Sequence, residues 1–401
     1  MNLTLPRNRL HIDVVTETYP PEINGVAHTI STLVQGLRKN NHHVFVIRPE
    51  QTSEKHSKDI KRSNYEFLVK SVPIPFYKEL RMGLPAKDML IKCWTTKRPD
   101  LVHVATEGPL GWSAVRAARE LSLPITSDFR TNFHAYSSMY KIGFLEPMIL
   151  AYLRWIHNAT DRTMVPTAKL KHELEARGVM NLKIMPRGVD TSIFSSTLRS
   201  QELRDSWGAD HSDIVLLSVG RLAVEKNLGL LIRSYEAARA ITPATKLIIV
   251  GDGPLRNSLE KQCPHAIFVG TKRGKDLAQH YASADAFVFP SLTETFGNVT
   301  IEAMASGLAV IAFRHAAAGD LIDSGHNGLT VEAKNEEAFI AAVIETIKNR
   351  KLLQKLGQAA THTASHHSWH SIIERTEDLF YEVIHAHKKN QDCHGKFIIP
   401  T

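Results

Sequence analysis

Only three of the 401 residues are cysteine, Cys93, Cys263 and Cys393, an odd number set far apart. That excludes a disulfide framework, argues against a cysteine zinc site and suits a reducing compartment. No apolar run reaches membrane-spanning length. The first residues pass straight into the apolar run 10–15 without the layout of a signal peptide. The expected location is the cytoplasm, with at most peripheral attachment to the inner face of the cytoplasmic membrane. Helix-turn-helix, zinc-finger and RNP patterns are all missing, so nucleic acid is not an expected partner. Neither half carries a full G-x-G-x-x-G after its first strand, which argues against a dinucleotide oxidoreductase. His366, His367 and His370 read better as a wet helix start than as ligands, and no metal is expected.

What is present begins with a lopsided charge. Up to residue 200 there are 28 Lys+Arg against 18 Asp+Glu; beyond it there are 21 against 23. A basic first half suits an anionic partner, and a negatively charged membrane face is the better candidate. Residues 76–98 mix apolar side chains (Leu84, Leu90, Trp94) with Lys87, Lys92, Lys97 and Arg98. Such a stretch can lie on an anionic membrane, or it can pack on a sheet with its cations snorkelling.

The stretch 285–307 organises the rest. Residues 286–289 are a buried strand by pattern, and Pro290 ends it because proline gives no N–H to a sheet. Residues 291–297 are turn chemistry; a helix follows through Val299, Ile301 and Met304, and Gly307 closes it. A helix N-terminus at the carboxyl edge of a sheet receives anions. The carboxylates Glu294 and Glu302 would spoil a bare phosphate site, but they suit sugar hydroxyls. The competing reading makes both ordinary solvated residues.

Both halves repeat one plan. In the first, strands at 10–15, 44–47, 100–105, 124–127, 163–166 and 182–185 alternate with helices. Asn24 and Gly25 mark the first strand-to-helix loop, and Arg130 and His134 follow the fourth strand. Gly25 can admit a ligand to the backbone or be a plain turn residue. His134 can meet a substrate hydroxyl or be structural. The second half restarts at 214–219, with Gly220, Arg221 and Lys226 in its first loop and Gly253 in the next, after 247–250. Two doubly wound α/β domains in tandem predict an interdomain cleft as the ligand site.

The set S-V-G-R-L-A-V-E-K-N-L, V-G-D-G-P and E-T-F-G-N-V-T-I-E, preceded by P-P-E-I-N-G-V, resembles the family 4 glycosyltransferases of GT-B architecture. The likeness runs to about residue 385. T-Y-P-P, V-H-V-A-T-E-G-P-L-G and F-R-T-N-F look most like bacterial mannosyltransferases using GDP-mannose and like sulfoquinovosyl-diacylglycerol synthases. The resemblance implies that Arg221 and Lys226 neutralise the donor diphosphate, Glu302 accepts ribose hydroxyls and Glu294 holds the transferred sugar. Gly220, Gly253, Phe296, Gly297, Asn298 and Val299 would line the donor, with Asn24 and Gly25 opposite. Arg130 stands where relatives often have histidine; either His134 replaces that histidine or Arg130 meets an anionic group.

It further implies a retaining, metal-independent hexosyltransferase with no cofactor, the nucleotide sugar being a co-substrate. The expected reaction moves mannose from GDP-mannose to a lipid or glycan acceptor at a membrane. Alternatives are a UDP-sugar-dependent glycolipid synthase of sulfoquinovosyl type, a non-hydrolysing epimerase, and a non-catalytic sugar-nucleotide sensor. The expected organisation is an acceptor-binding domain 1–195, a nucleotide-sugar domain 196–368, a C-terminal crossover helix 369–388 packing back on the first domain, and a tail 389–401.

Overall fold

The computed structural model describes residues 8–22, 24–51, 65–74, 77–130 and 146–395. The chain divides into two compact units, Met1–Met185 with Ile372–Thr401, and Pro186–Ser371. The first holds strands β1 (His11–Val15), β2 (His43–Pro49), β3 (Glu66–Val69), β4 (Ser71–Ile74), β5 (Tyr77–Gly83), β6 (Leu101–Val104), β7 (Ile125–Asp128), β8 (Arg162–Val165) and β9 (Leu182–Ile184). Seven of them form one sheet in the order β3-β2-β1-β6-β7-β8-β9, parallel throughout. The pair β4-β5 is a separate antiparallel hairpin.

The second unit repeats the arrangement with β10 (Val215–Val219), β11 (Lys246–Val250), β12 (Ile267–Gly270), β13 (Ala286–Phe289), β14 (Ala309–Phe313) and β15 (Leu329–Val331). Their order is β12-β11-β10-β13-β14-β15, again all parallel. The strands are almost wholly apolar because helices cover both faces. Within β10 the side chains alternate: Val215, Leu217 and Val219 enter one core with Phe287, while Leu216 enters the other with Val288. The strand order reverses between β1 and β6 and between β10 and β13. The carboxyl ends of those neighbours are where such sheets place ligands.

The sequence reading differs at three places, and at a fourth, the helix Lys87–Thr96, one of its two alternatives holds. The expected boundary near 195 lies inside the second unit, where Val189 joins the core. The hairpin β4-β5 and the edge strands β3 and β15 have weak signals, being short, with Pro73 and charged residues among them. The helix Lys87–Thr96 buries Leu90 and Trp94 against the sheet, the Trp94 indole donating to Asp13 at 2.7 Å. This is the packed reading of that stretch. The last helix runs Trp369–Gly395, past the expected end at 388.

From Ile372 onward that helix belongs to the first unit. A Cβ on Gly36 would sit 2.0 Å from the Ile373 side chain, so only glycine permits the approach. Phe380 lies over His103, with ring centroids 5.5 Å apart. The buried Glu377 accepts from Asn40 at 2.7 Å and lies 3.3 Å from His42 Nε2.

Candidate active site

In the second unit the switch point carries two loops. Residues 220–227, after β10, are stitched to the loop after β11 by Leu222 N to Asp252 O at 2.9 Å and Leu255 N to Leu222 O at 3.0 Å. Gly253 makes that stitching possible, since a Cβ there would lie 2.5 Å from the Leu222 carbonyl oxygen. It therefore supports the loop that presents Arg221. The Arg221 side chain is exposed and, among the described residues, makes no side-chain hydrogen bond or ion pair. Its charge is available to an anion.

Lys226 is half-buried and pairs with Glu294 from the loop after β13, while its ammonium lies 5.5 Å from the Phe289 ring centre. The same Glu294 oxygen accepts from Ser291 Oγ at 2.8 Å. His315 Nε2 donates to the Ser291 carbonyl at 2.7 Å, and Leu292 N donates to Glu225 O at 3.0 Å. The two loops thus hold each other, bringing a cation and a carboxylate together at one sheet edge. An arriving diphosphate would compete with Glu294 for Lys226 and leave that carboxylate for hydroxyl donors.

Phe296 is buried in the core, and its carbonyl accepts from Ala317 N at 2.7 Å. Its side chain anchors the loop, so only its backbone is at the sheet edge. Gly297 adopts φ +86°, a left-handed conformation that a side chain would strain, and opens the helix Asn298–Ala305. The first-turn amides of Asn298 and Val299 have no intrahelical acceptor. One turn on, Glu302 is half-buried and accepts from the Tyr281 hydroxyl at 3.0 Å. Burial pushes its pKa up to about 7, against the opposing effect of that hydrogen bond.

In the first unit the corresponding edge joins the ends of β1 and β6. Asn24 caps the helix Gly25–Lys39, its Oδ1 accepting from Ala27 N at 2.8 Å while its Nδ2 donates to Thr18 Oγ1 at 2.7 Å. A Cβ on Gly25 would meet nothing within 4 Å, so the chain's own packing makes no demand for glycine there. Arg130 is buried and its guanidinium is paired with Asp128. Its amide lies 3.2 Å from Glu107 Oε1, the oxygen that also stands 3.4 Å from His157 Nε2. His134 lies outside the described residues.

Sequence reasoning missed two residues. Glu17, at the end of β1, accepts from Gly83 N at 2.7 Å and Leu110 N at 2.8 Å. Burial raises its pKa to about 7 despite those donors. A lone glutamate in a T-E-T run gives no signal of this. Tyr281 was the other; only its spacing before the A-D-A-F-V-F strand could have pointed to it. Among the described residues no group of three or more His, Cys, Asp or Glu gathers as a metal site would require.

Residues 23–193 match the model described as Glycosyltransferase Family 4, and residues 199–363 that described as Glycosyl transferases group 1. A GDP-mannose-dependent alpha-mannosyltransferase of Mycobacterium tuberculosis is 31% identical, over 95% of this chain and 99% of its own. One from Mycolicibacterium smegmatis is 33% identical over 90% and 94%. A sulfoquinovosyl transferase of Arabidopsis thaliana is 32% identical over 78% and 62%. The solved sucrose-phosphate synthase from Thermosynechococcus elongatus shares the fold, at 18% identity, with TM-score 0.76 over 94% of this chain and all of that one. The chain belongs to the family 4 glycosyltransferases, with the GT-B fold. It is a hexosyltransferase.

Proposed function

We propose that this enzyme transfers mannose from GDP-mannose to a lipid or membrane-associated glycan acceptor, retaining the anomeric configuration and using no metal. The observation that carries the reading is the cluster at the ends of β10 and β13: exposed Arg221, Lys226 on Glu294, and Glu302 one helical turn away. Two cations aimed at a departing diphosphate supply the charge stabilisation that a divalent ion supplies elsewhere. The carboxylates take the hydroxyls of ribose and hexose, and a donor phosphate oxygen takes the acceptor's proton. The mannosyltransferase relatives align along almost their whole length, which favours mannose.

The sulfoquinovosyl reading rests on the Arabidopsis relative. It loses one support, because the Arg130 guanidinium that could have met a sulfonate is already matched by Asp128. Membrane association is proposed through exposed cations such as Lys92 and Lys97; no helix among the described residues is long and apolar enough to cross a bilayer.

The test is a thermal-shift panel of nucleotide sugars followed by product analysis. GDP-mannose should raise the melting temperature most, and the product should be an α-mannoside formed undiminished in EDTA. Arg221→Ala and Lys226→Ala should each lower turnover by about 10² to 10³, the usual loss of one charge-stabilising group. Stabilisation by a UDP-sugar instead, or near-normal rates in both variants, overturns the corresponding part of the proposal.

A further inference from the structure

We propose that Tyr281 is a positioning residue for donor recognition, its hydroxyl locking Glu302 so that the free carboxylate oxygen faces the ribose hydroxyls. This rests on the reading of Glu302 as the ribose acceptor. Tyr281 lies on the helix Gly274–Ser283, is fully buried, and is 21 residues from its partner in sequence. Its ring is wedged between Phe194, edge-on at 5.7 Å, and Phe287 at 5.8 Å. A phenol so held has one orientation, and its hydroxyl donates to Glu302 Oε2 at 3.0 Å.

The consequence concerns both geometry and charge. A glutamate at the second turn of a helix has three rotatable bonds, and ordering it on ligand arrival costs binding free energy. A buried donor that holds one oxygen removes part of that cost beforehand. The hydrogen bond also favours the ionised carboxylate, whereas burial opposes it. Ionisation matters because two ribose hydroxyls are both donors here, and a protonated carboxyl would meet one of them with its own O–H. Among the described residues, it is the Tyr281 hydroxyl whose hydrogen bond opposes the effect of burial on Glu302.

The hydroxyl alone is removed by Tyr281→Phe, which leaves the ring contacts in place. Titrating GDP against 2′-deoxy-GDP, and UDP against 2′-deoxy-UDP, measures recognition of the ribose without needing the acceptor. Wild type should prefer the ribonucleotide, Glu302→Gln should largely erase the preference, and Tyr281→Phe should reduce it by about tenfold, the scale of one hydrogen bond to a charged group. The KM for the nucleotide sugar should rise by a similar factor while the acceptor KM stays put. The low-pH limb of kcat/KM should move to higher pH, because the carboxyl has lost the donor that favoured its ionised form.

Unchanged ribose discrimination in Tyr281→Phe, with discrimination lost in Glu302→Gln, overturns the proposal and spares the ribose site. No discrimination in wild type overturns both. A lowered melting temperature with equal rises in both KM values makes the hydroxyl structural only, and also overturns it.

Discussion

At the residue scale, three carboxylates show how surroundings assign work to identical chemistry. Glu294 sits beside a lysine and a serine hydroxyl and is poised to exchange partners. Glu302 is desolvated with a single donor. Glu17 is desolvated too, although backbone amides point at both its oxygens, so burial outweighs the hydrogen bonds. That balance predicts a pH signature. In the unfolded chain Glu17 ionises in the ordinary carboxylate range, but in the folded chain only near pH 7. Between these limits the folded state keeps a proton that the unfolded state has lost. The contribution to stability is complete below the lower value and fades as pH rises through about 7. Glu17→Gln has no proton to give up, so its melting temperature should gain a few degrees on wild type between pH 5 and pH 8. A constant difference across melts in that range would show that Glu17 titrates as an ordinary glutamate.

At the element scale, the strand-loop-helix units were legible because buried parallel strands are short apolar runs, and Pro290, Gly297 and Gly307 punctuate the key one. Helices announced themselves through periodic apolar residues, whereas the capping of the first one by Asn24 shows only in the structure. What was not legible came from contacts far apart in sequence. Gly253 read as a donor-binding glycine, yet its steric demand comes from Leu222, in another loop. Tyr281 and Glu17 gain meaning only from hydrogen-bond partners 21 residues off for the first and 66 and 93 for the second. The hairpin β4-β5 was hidden by prolines and mixed charge. The Gly253 contact is testable. In Gly253→Ala the new methyl meets Leu222 O at 2.5 Å and Leu222 N at 2.8 Å, backbone atoms that cannot turn aside. The loop carrying Arg221 must shift. Overpacking of this kind costs about 1–3 kcal/mol, and a displacement of about 1 Å at a catalytic group can cost about 10²-fold in rate. Turnover should therefore fall further than the modest drop in melting temperature suggests. Wild-type turnover would mean that the two loops move independently.

At the scale of the whole molecule, the wiring matters more than the order of the elements. The first unit is completed by the chain's far end, since Ile372 onward packs with residues that precede 186. Its apolar side chains Ile373, Leu379, Phe380 and Val383 are nearly inaccessible, and Gly36 leaves just enough room for Ile373. A terminal helix merely resting on a finished domain would not need a glycine carved out for it. The helix is therefore part of the first core, and damage to it should be felt there. Phe380→Ala removes a fully buried ring lying over His103, a loss of about 3–5 kcal/mol. Native-state amide exchange can assign that loss to a unit. Exchange in β1 and β6 should accelerate by orders of magnitude, while β10 and β13 exchange as in wild type because their core has its own apolar residues. Equal acceleration in both sheets would mean instead that the two units unfold as one cooperative body, and that the terminal helix secures them jointly.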